Sequence, residues 1–365
     1  MKRGTLIYYC CSLMLAITLL GWTMSAAKAQ TAATNAETVI PLEGLDPVML
    51  TQGKEVQGDM KFTVTRGQFQ YLFASAENKA IFEKDPARYE IQLGGHCARM
   101  GPPTGGNPDL YTVHNGRIYI FGSEECQKLF KATPEKYLET PPPPKTPPTA
   151  EMVKRGQALI AKAAESFGGS KLDQLVSLQR KDVRGNDTKT ALLLSFPDTL
   201  RQETLRPNFT LAFVVTPAES FVVVNDRVNT LPDDNRAAIV KELNRELIVL
   251  LRARTRPDFN VATNGKTEGT AEYVDIELSG FTTTLAIDPA TGHVLSQTYH
   301  GRGPGAMLGD IAINYSDYRT VEGISLPFKV TATFDGEPFP ALTATVESLT
   351  INGQIDASSF KKPKS

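Results

Sequence analysis

The sequence predicts an α+β protein: a small duplicated strand–turn–helix module, then a curved antiparallel sheet wrapped on helices. Three observations carry this. Two segments of the first third repeat at a constant offset of 48 residues. A proline stretch, Pro141-Pro-Pro-Pro-Lys-Thr-Pro-Pro-Thr149, then divides the chain. After it, short alternating apolar and polar runs separated by turn residues follow one another, with only two helical periodicities among them.

Residues 1–29 read as a signal peptide. Met1-Lys2-Arg3 is cationic, an uncharged run from Gly4 to Ala27 has an apolar centre, and Ala27-Lys28-Ala29 is an A-x-A cleavage site. The rival reading is a retained anchor, because the run approaches the ~20 residues that span a bilayer. The expected location is exported, periplasmic or secreted, with no transmembrane segment after cleavage. Cleavage removes three Lys+Arg and no acids, so 36 basic and 40 acidic residues remain, net −4. It also removes Cys10, Cys11 and Trp22, leaving Cys97 and Cys126 in an oxidising compartment.

Residues 38–139 hold the repeat. Phe73 to Tyr89 aligns with Phe121 to Tyr137, so that Phe73/Phe121, Ser75/Ser123, Glu77/Glu125, Phe82/Phe130, Pro86/Pro134 and Tyr89/Tyr137 coincide. A strand-like run precedes each copy, 69–73 or 117–121, after a turn glycine, Gly67 or Gly116. Ser75 and Ser123 are natural N-caps, and Pro86 and Pro134 end the helices they open. With 11 basic and 13 acidic residues, this part has no basic face for nucleic acid, and its aromatics read as a small core.

This repeated unit resembles the YHS domain, and Gly44-Leu45-Asp46-Pro47-Val48 resembles the opening of exported YHS proteins. The resemblance implies a metal or partner platform. Where metal-type copies of that family carry Phe-Cys-Ser-x-x-Cys, this chain reads Ala74/Asn78 in the first copy and Gly122/Cys126 in the second.

Residues 140–150 are an expected extended linker, since proline fixes φ and removes the N–H. Residues 151–365 form the second domain. A helix is expected over Glu151–Phe167, stopped by Gly168-Gly169. Strands are expected over 190–196, 211–215, 220–224, 271–278, 282–287, 293–299, 310–318, 328–334 and 342–351. One long helix after Pro232-Asp233-Asp234 would carry Ile239, Val240, Leu243, Leu247, Leu250 and Leu251 on one face. This order, with the stretches 317–328 and 351–360, resembles the periplasmic lipoprotein-carrier (LolA-like) superfamily. That resemblance implies a half-barrel and an apolar cavity for acyl chains.

Few residues are candidates for chemistry. His96, Cys97 and Cys126, joined by Met100, would suit a soft metal such as copper or zinc. The favoured alternative is a Cys97–Cys126 disulfide, closing a loop of about 30 residues and contributing about 3 kcal/mol. His293 and His300 read as surface strand residues. Gly301-Arg302-Gly303-Pro304-Gly305 lacks the strand–loop–helix frame of a phosphate cradle and reads as a flexible hairpin tip. Asp233-Asp234 and Glu124-Glu125 sit at helix starts, where they favour the dipole. No Walker, zinc-protease, nucleophile-elbow or dinucleotide motif occurs.

The functional expectation is therefore a non-enzymatic exported binding protein whose second domain carries a lipid-like or other apolar small molecule. The alternatives are a thiol-dependent redox protein or enzyme using Cys126 or Cys97, with Cys126 the better placed near a helix start, and a passive envelope scaffold.

Overall fold

The computed structural model describes residues 38–101, 104–138, 146–185, 187–231 and 233–363. The signal peptide and most of the proline stretch lie outside them. Among the described residues no helix is long and apolar enough to cross a membrane.

The first copy of the repeat is built from α1 (Pro47–Leu50), the hairpin β1 (Asp59–Arg66) and β2 (Phe69–Phe73), α2 (Ala76–Lys84) and the short α3 (Pro86–Tyr89). The second is built from the hairpin β3 (Asn107–His114) and β4 (Arg117–Phe121), followed by α4 (Glu124–Ala132). Ser75 caps α2 by accepting from Asn78 N–H, and Ser123 caps α4 by accepting from Cys126 N–H. Phe82 and Phe130 are the corresponding buried anchors. Phe82 stands 5.1 Å from both Tyr71 and Phe73, while Phe130 stands 5.4 Å from Tyr119 and 5.1 Å from Phe121. Losing either Phe to Ala would cost about 3–5 kcal/mol, because nothing can collapse into so closed an aromatic triad.

Asp46 adds a feature without a partner in the second copy. Its fully buried carboxylate accepts from Val48 N–H (2.8 Å), Met49 N–H (3.2 Å), Ala74 N–H (2.8 Å) and Asn78 Nδ2 (2.7 Å). It caps α1 and ties it to the end of β2 and the start of α2.

The rest of the chain begins with α5 (Ala150–Ser166) and α6 (Ser170–Asp173). Strands β5 (Ser177–Arg184), β6 (Lys189–Ser195), β7 (Thr199–Arg206), β8 (Phe209–Val215), β9 (Ser220–Val224) and β10 (Arg227–Thr230) then meander outward. Helices α7 (Asp233–Leu243) and α8 (Leu247–Arg252) lead to the opposite edge. From there β11 (Asn260–Glu268), β12 (Ala271–Leu278), β13 (Phe281–Ile287), β14 (Val294–Arg302), β15 (Leu308–Val321) and β16 (Ile324–Phe334) meander back. The two-residue β17 (Glu337–Pro338) pairs with β16, and β18 (Ala344–Ile351) closes between β16 and β5. The result is a curved antiparallel sheet of 14 strands, with β10 and β11 at its ends.

The main core lies between the inner face of this sheet and the helices. Leu159, Ile160, Ala163 and Ala164 of α5 and Leu247, Ile248, Leu250 and Leu251 of α8 pack on Leu178, Leu194, Leu200, Val274, Ile276 and Leu285. Gly156 lets α5 lie directly on β11, since a Cβ there would stand 2.8 Å from the Ala262 backbone.

Three departures from the sequence expectation have physical causes. Strands β5, β7, β10 and β11 escape the alternation rule. In β5 the inward residues after Leu178 are Arg180, Asp182 and Arg184, so its buried side is charged. The single long helix is two helices. The chain leaves α7 at Asn244-Arg245-Glu246, and Glu246 is extended (φ −60°, ψ 126°) before α8 begins, which turns Arg245 and Glu246 toward the sheet. The glycine-rich loop joins β14 to β15 through a 3₁₀ turn at Pro304–Ala306 and is docked: Arg302 donates to the Arg99 carbonyl (3.1 Å) and the Tyr137 carbonyl (3.4 Å).

Candidate functional site

Three places bring chemistry-bearing residues together. The first is a chamber of about 200 Å³ between α8 and the inner sheet face. Arg180 donates to Asp182 (3.0 Å) and to both oxygens of Glu246 (2.9 and 3.1 Å). Arg245 pairs with Glu242 and lies over the Tyr299 ring at 4.4 Å. Tyr315 donates to Gln297 (2.7 Å), which donates to Thr283 (3.1 Å). Leu326, Phe328, Val330 and Leu349 complete the wall.

Burial acts on Glu246, Arg184 and Tyr299. It opposes ionisation of Glu246, but Arg180 outweighs it and holds the carboxyl below its ordinary range. Burial lowers the Arg184 guanidinium, with Asp182 working the other way. Burial also pushes the Tyr299 hydroxyl up to about 12, helped by Glu242. Among the described residues, Asp182 Oδ1 and Arg245 Nε have no hydrogen-bond partner. The chamber is smaller than the cavity expected for acyl chains, and its lining mixes charged side chains with Leu326, Phe328, Val330 and Leu349.

The second place is an open groove of about 1070 Å³ between the repeated module and strands β8 to β10. Its floor is Leu211, Phe213, Val222, Val224 and Leu231. Alternate residues of the same strands, Ala212, Val214, Phe221 and Val223, pack with Phe360 on the outer face. Across from the floor stand Gln68, Phe69, Gln92 and His96, with Arg66 and Arg117. Arg66 is paired with Glu90 (3.2 Å), and Arg117 donates to Gln92 (2.9 Å).

The third place is a sulfur cluster in the second copy of the repeat. Cys97 is fully buried and Cys126 is 8% exposed, and both are free thiols. The Cys97–Cys126 disulfide expected from the sequence is not formed in this structure, and the two side chains lie in one buried cluster with Tyr119, Phe121 and Phe130. Arg99 Nη1 lies 3.7 Å from Cys126 Sγ and 3.2 Å from Met100 Sδ. Burial raises the Cys126 thiol, but Ser123, Arg99 and Cys97 together bring it below its ordinary value.

His96 does not join the two cysteines. The backbone is extended at His96, which lines the groove, whereas Cys97 points into the core with Tyr119, Phe121 and Phe130. Among the described residues no three His, Cys, Asp or Glu side chains stand together as metal ligands. His293 stacks on Tyr318 at 4.2 Å, and His300 pairs across strands with Asp310 (3.0 Å). Sequence reasoning missed the chamber residues Arg180, Asp182, Arg184 and Arg245. For Arg180, Asp182 and Arg184 the only signal was a charge at every second position of β5, and Arg245, between α7 and α8, gave none.

No family model matches this chain, and no curated protein does. Among solved structures, a DUF1329 family protein from Desulfovibrio piger ATCC 29098 is similar at 11% identity and a TM-score of 0.37. The match covers 57% of this chain and 97% of that one. A LolA superfamily protein from Nitrosomonas europaea, NE2245, is similar at 9% identity and a TM-score of 0.30, over 55% of this chain and 97% of that one.

Proposed function

We propose that the protein is a non-enzymatic, exported binding protein that holds a lipid-like or other apolar small molecule in the groove between its repeated module and strands β8 to β10. One observation carries this reading: Leu211, Phe213, Val222 and Val224 of β8 and β9 are apolar and only partly buried, and they line about 1070 Å³ of open space. Apolar surface left facing such a space costs roughly 25 cal/mol per Å² until something covers it. Space of this size is at the upper end of small-molecule sites, which run to about 1,000 Å³.

The polar side of the groove suits the head of such a molecule, with Gln68, Gln92 and the two arginines opposite the apolar floor. The YHS-like module would then serve as the roof of the binding site. The charged chamber would act as the latch that holds α8 to the sheet beside it.

The test is native mass spectrometry of the purified full chain, followed by titration with a fluorescent fatty-acid analogue. A copurifying apolar ligand, or displaceable binding of the analogue, is expected. Phe213→Glu and Val222→Asp should each weaken that binding at least tenfold while circular dichroism stays unchanged. If the wild-type chain neither carries a ligand nor takes up the analogue, the reading falls.

A further inference from the structure

The sulfur cluster lies outside the groove and needs its own account. In the first copy of the repeat, Asn78 spends its side chain on Asp46, a purely structural bond. At the equivalent position of the second copy, 48 residues later, stands Cys126, facing Cys97 and Arg99 instead. We propose that Cys126 and Cys97 form a dithiol–disulfide exchange site, with Cys126 the attacking thiol and Cys97 the resolving one.

Four features of the geometry divide the roles. Cys126 is the third residue of the nine-residue α4, where unpaired N–H groups favour negative charge. The Arg99 guanidinium faces its sulfur at 3.7 Å, a cation placed to stabilise a thiolate. Cys126 retains 8% exposure, whereas Cys97 has none, so a reagent in solution meets Cys126 first. Both side chains lie in one buried cluster with Phe121 and Phe130, so the second thiol is close at hand.

The co-reactant is a disulfide, R–S–S–R, of a small molecule or another protein. The Cys126 thiolate attacks one of its sulfurs, the R–S–S–R bond breaks, and RS⁻ leaves and takes up a proton. Cys97 then loses its proton and attacks Cys126 Sγ. The Cys97–Cys126 bond forms as the second RS⁻ leaves and is protonated. Two electrons pass from the pair to R–S–S–R, which ends as two RSH, and the reverse sequence reduces the pair. A thiolate attacking through a mixed disulfide is the general route of such exchange.

The experiment treats the reduced full chain, with Cys10 and Cys11 replaced by Ser so that Cys97 and Cys126 are its only cysteines, with glutathione disulfide and follows mass and free thiols. The wild-type protein should lose two hydrogens and both thiols. Cys97→Ser should stop at a single glutathione adduct on Cys126. Cys126→Ser should remain unmodified while folded, its remaining thiol appearing only in denaturant. In the Cys97→Ser background, Arg99→Met should slow adduct formation about tenfold at neutral pH, and Arg99→Lys should restore part of it. The proposal is overturned if folded Cys126→Ser reacts as fast as Cys97→Ser, if the wild-type protein stops at the mixed disulfide, or if folded Cys97→Ser forms no adduct. Circular dichroism on each variant separates these outcomes from misfolding.

Discussion

Arg302, at the end of β14, donates through Nη1 to the backbone carbonyl of Arg99, 3.1 Å away and 203 residues earlier in the chain. The same side chain reaches the carbonyls of Ala306 (2.9 Å) and Tyr137 (3.4 Å), so one guanidinium holds its own hairpin and clasps the repeated module. Gly101 makes the approach possible. It sits at φ +69°, and a Cβ there would meet Arg302 Nε at 2.5 Å.

Arg302→Ala should therefore loosen the module from the sheet. Hydrogen bonds to a charged group contribute about 1.5–3 kcal/mol, and a loss in that range is expected from urea unfolding. Hydrogen exchange should quicken around residues 98–101 before it changes in β5 or β18. Unchanged exchange there would show that the modules hold together without this clasp.

Acid should weaken the chamber through Glu246. Its carboxyl is held low in the folded chain, so the stabilisation is complete above the unfolded value of about 4.3 and is lost as pH falls through the folded one. Glu246 keeps 33% of its side-chain surface, and Arg180 retains Asp182. We therefore expect Glu246→Gln to cost about 2 kcal/mol rather than the ~3–5 of a fully buried broken pair. As pH falls below about 4.3, the variant and wild-type unfolding midpoints should draw together. Parallel curves would locate the acid sensitivity elsewhere.

Alkali should act through buried phenols. Burial raises Tyr299 to about 12 and also raises Tyr71, Tyr315 and Tyr318. These groups favour their neutral form in the fold, so their contribution is intact below the unfolded value of about 10 and lost as pH rises through the folded values. Each proton retained by the folded chain should lower stability by about 1.4 kcal/mol per pH unit in that window. Tyr299→Phe should reduce the slope of unfolding midpoint against pH between 10 and 12. An unchanged slope would show that Tyr299 ionises alike in both states.

Asp46→Ala should cost about 3 kcal/mol or more, because it strands four donors at once, one of them the Asn78 amide. Ser75→Ala, which removes one cap, should cost only about 1 kcal/mol. Thermal unfolding of the two variants tests the ratio. Equal losses would mean that Asp46 serves merely as the cap of α1.

Where a residue's role is local, it was legible in the sequence. The caps Ser75 and Ser123, the apolar stripe of α5 and the strands Ser220–Val224 and Ala271–Leu278 follow from periodicity and turn chemistry within a few residues. Strand β5 was not legible, because its inward side carries Arg180, Asp182 and Arg184, a pattern that local rules assign to solvent. The break between α7 and α8 was hidden for a related reason. Asn244, Arg245 and Glu246 would extend a helix on local preference, but the sheet competes for two of these side chains: Arg180 of β5 pairs with Glu246, and Arg245 lies over the Tyr299 ring of β14.

The sequence by itself determined the aromatic anchors Phe82 and Phe130, the run of antiparallel strands and the near-neutral charge, since each depends on spacing and composition alone. Only the tertiary structure decided that Cys97 meets Cys126 without His96, that the large space lies outside the packed sheet interior, and that Arg302 clasps Arg99. Those outcomes depend on which side chains long-range packing leaves facing one another, and residues far apart in the chain carry no local signal of being neighbours.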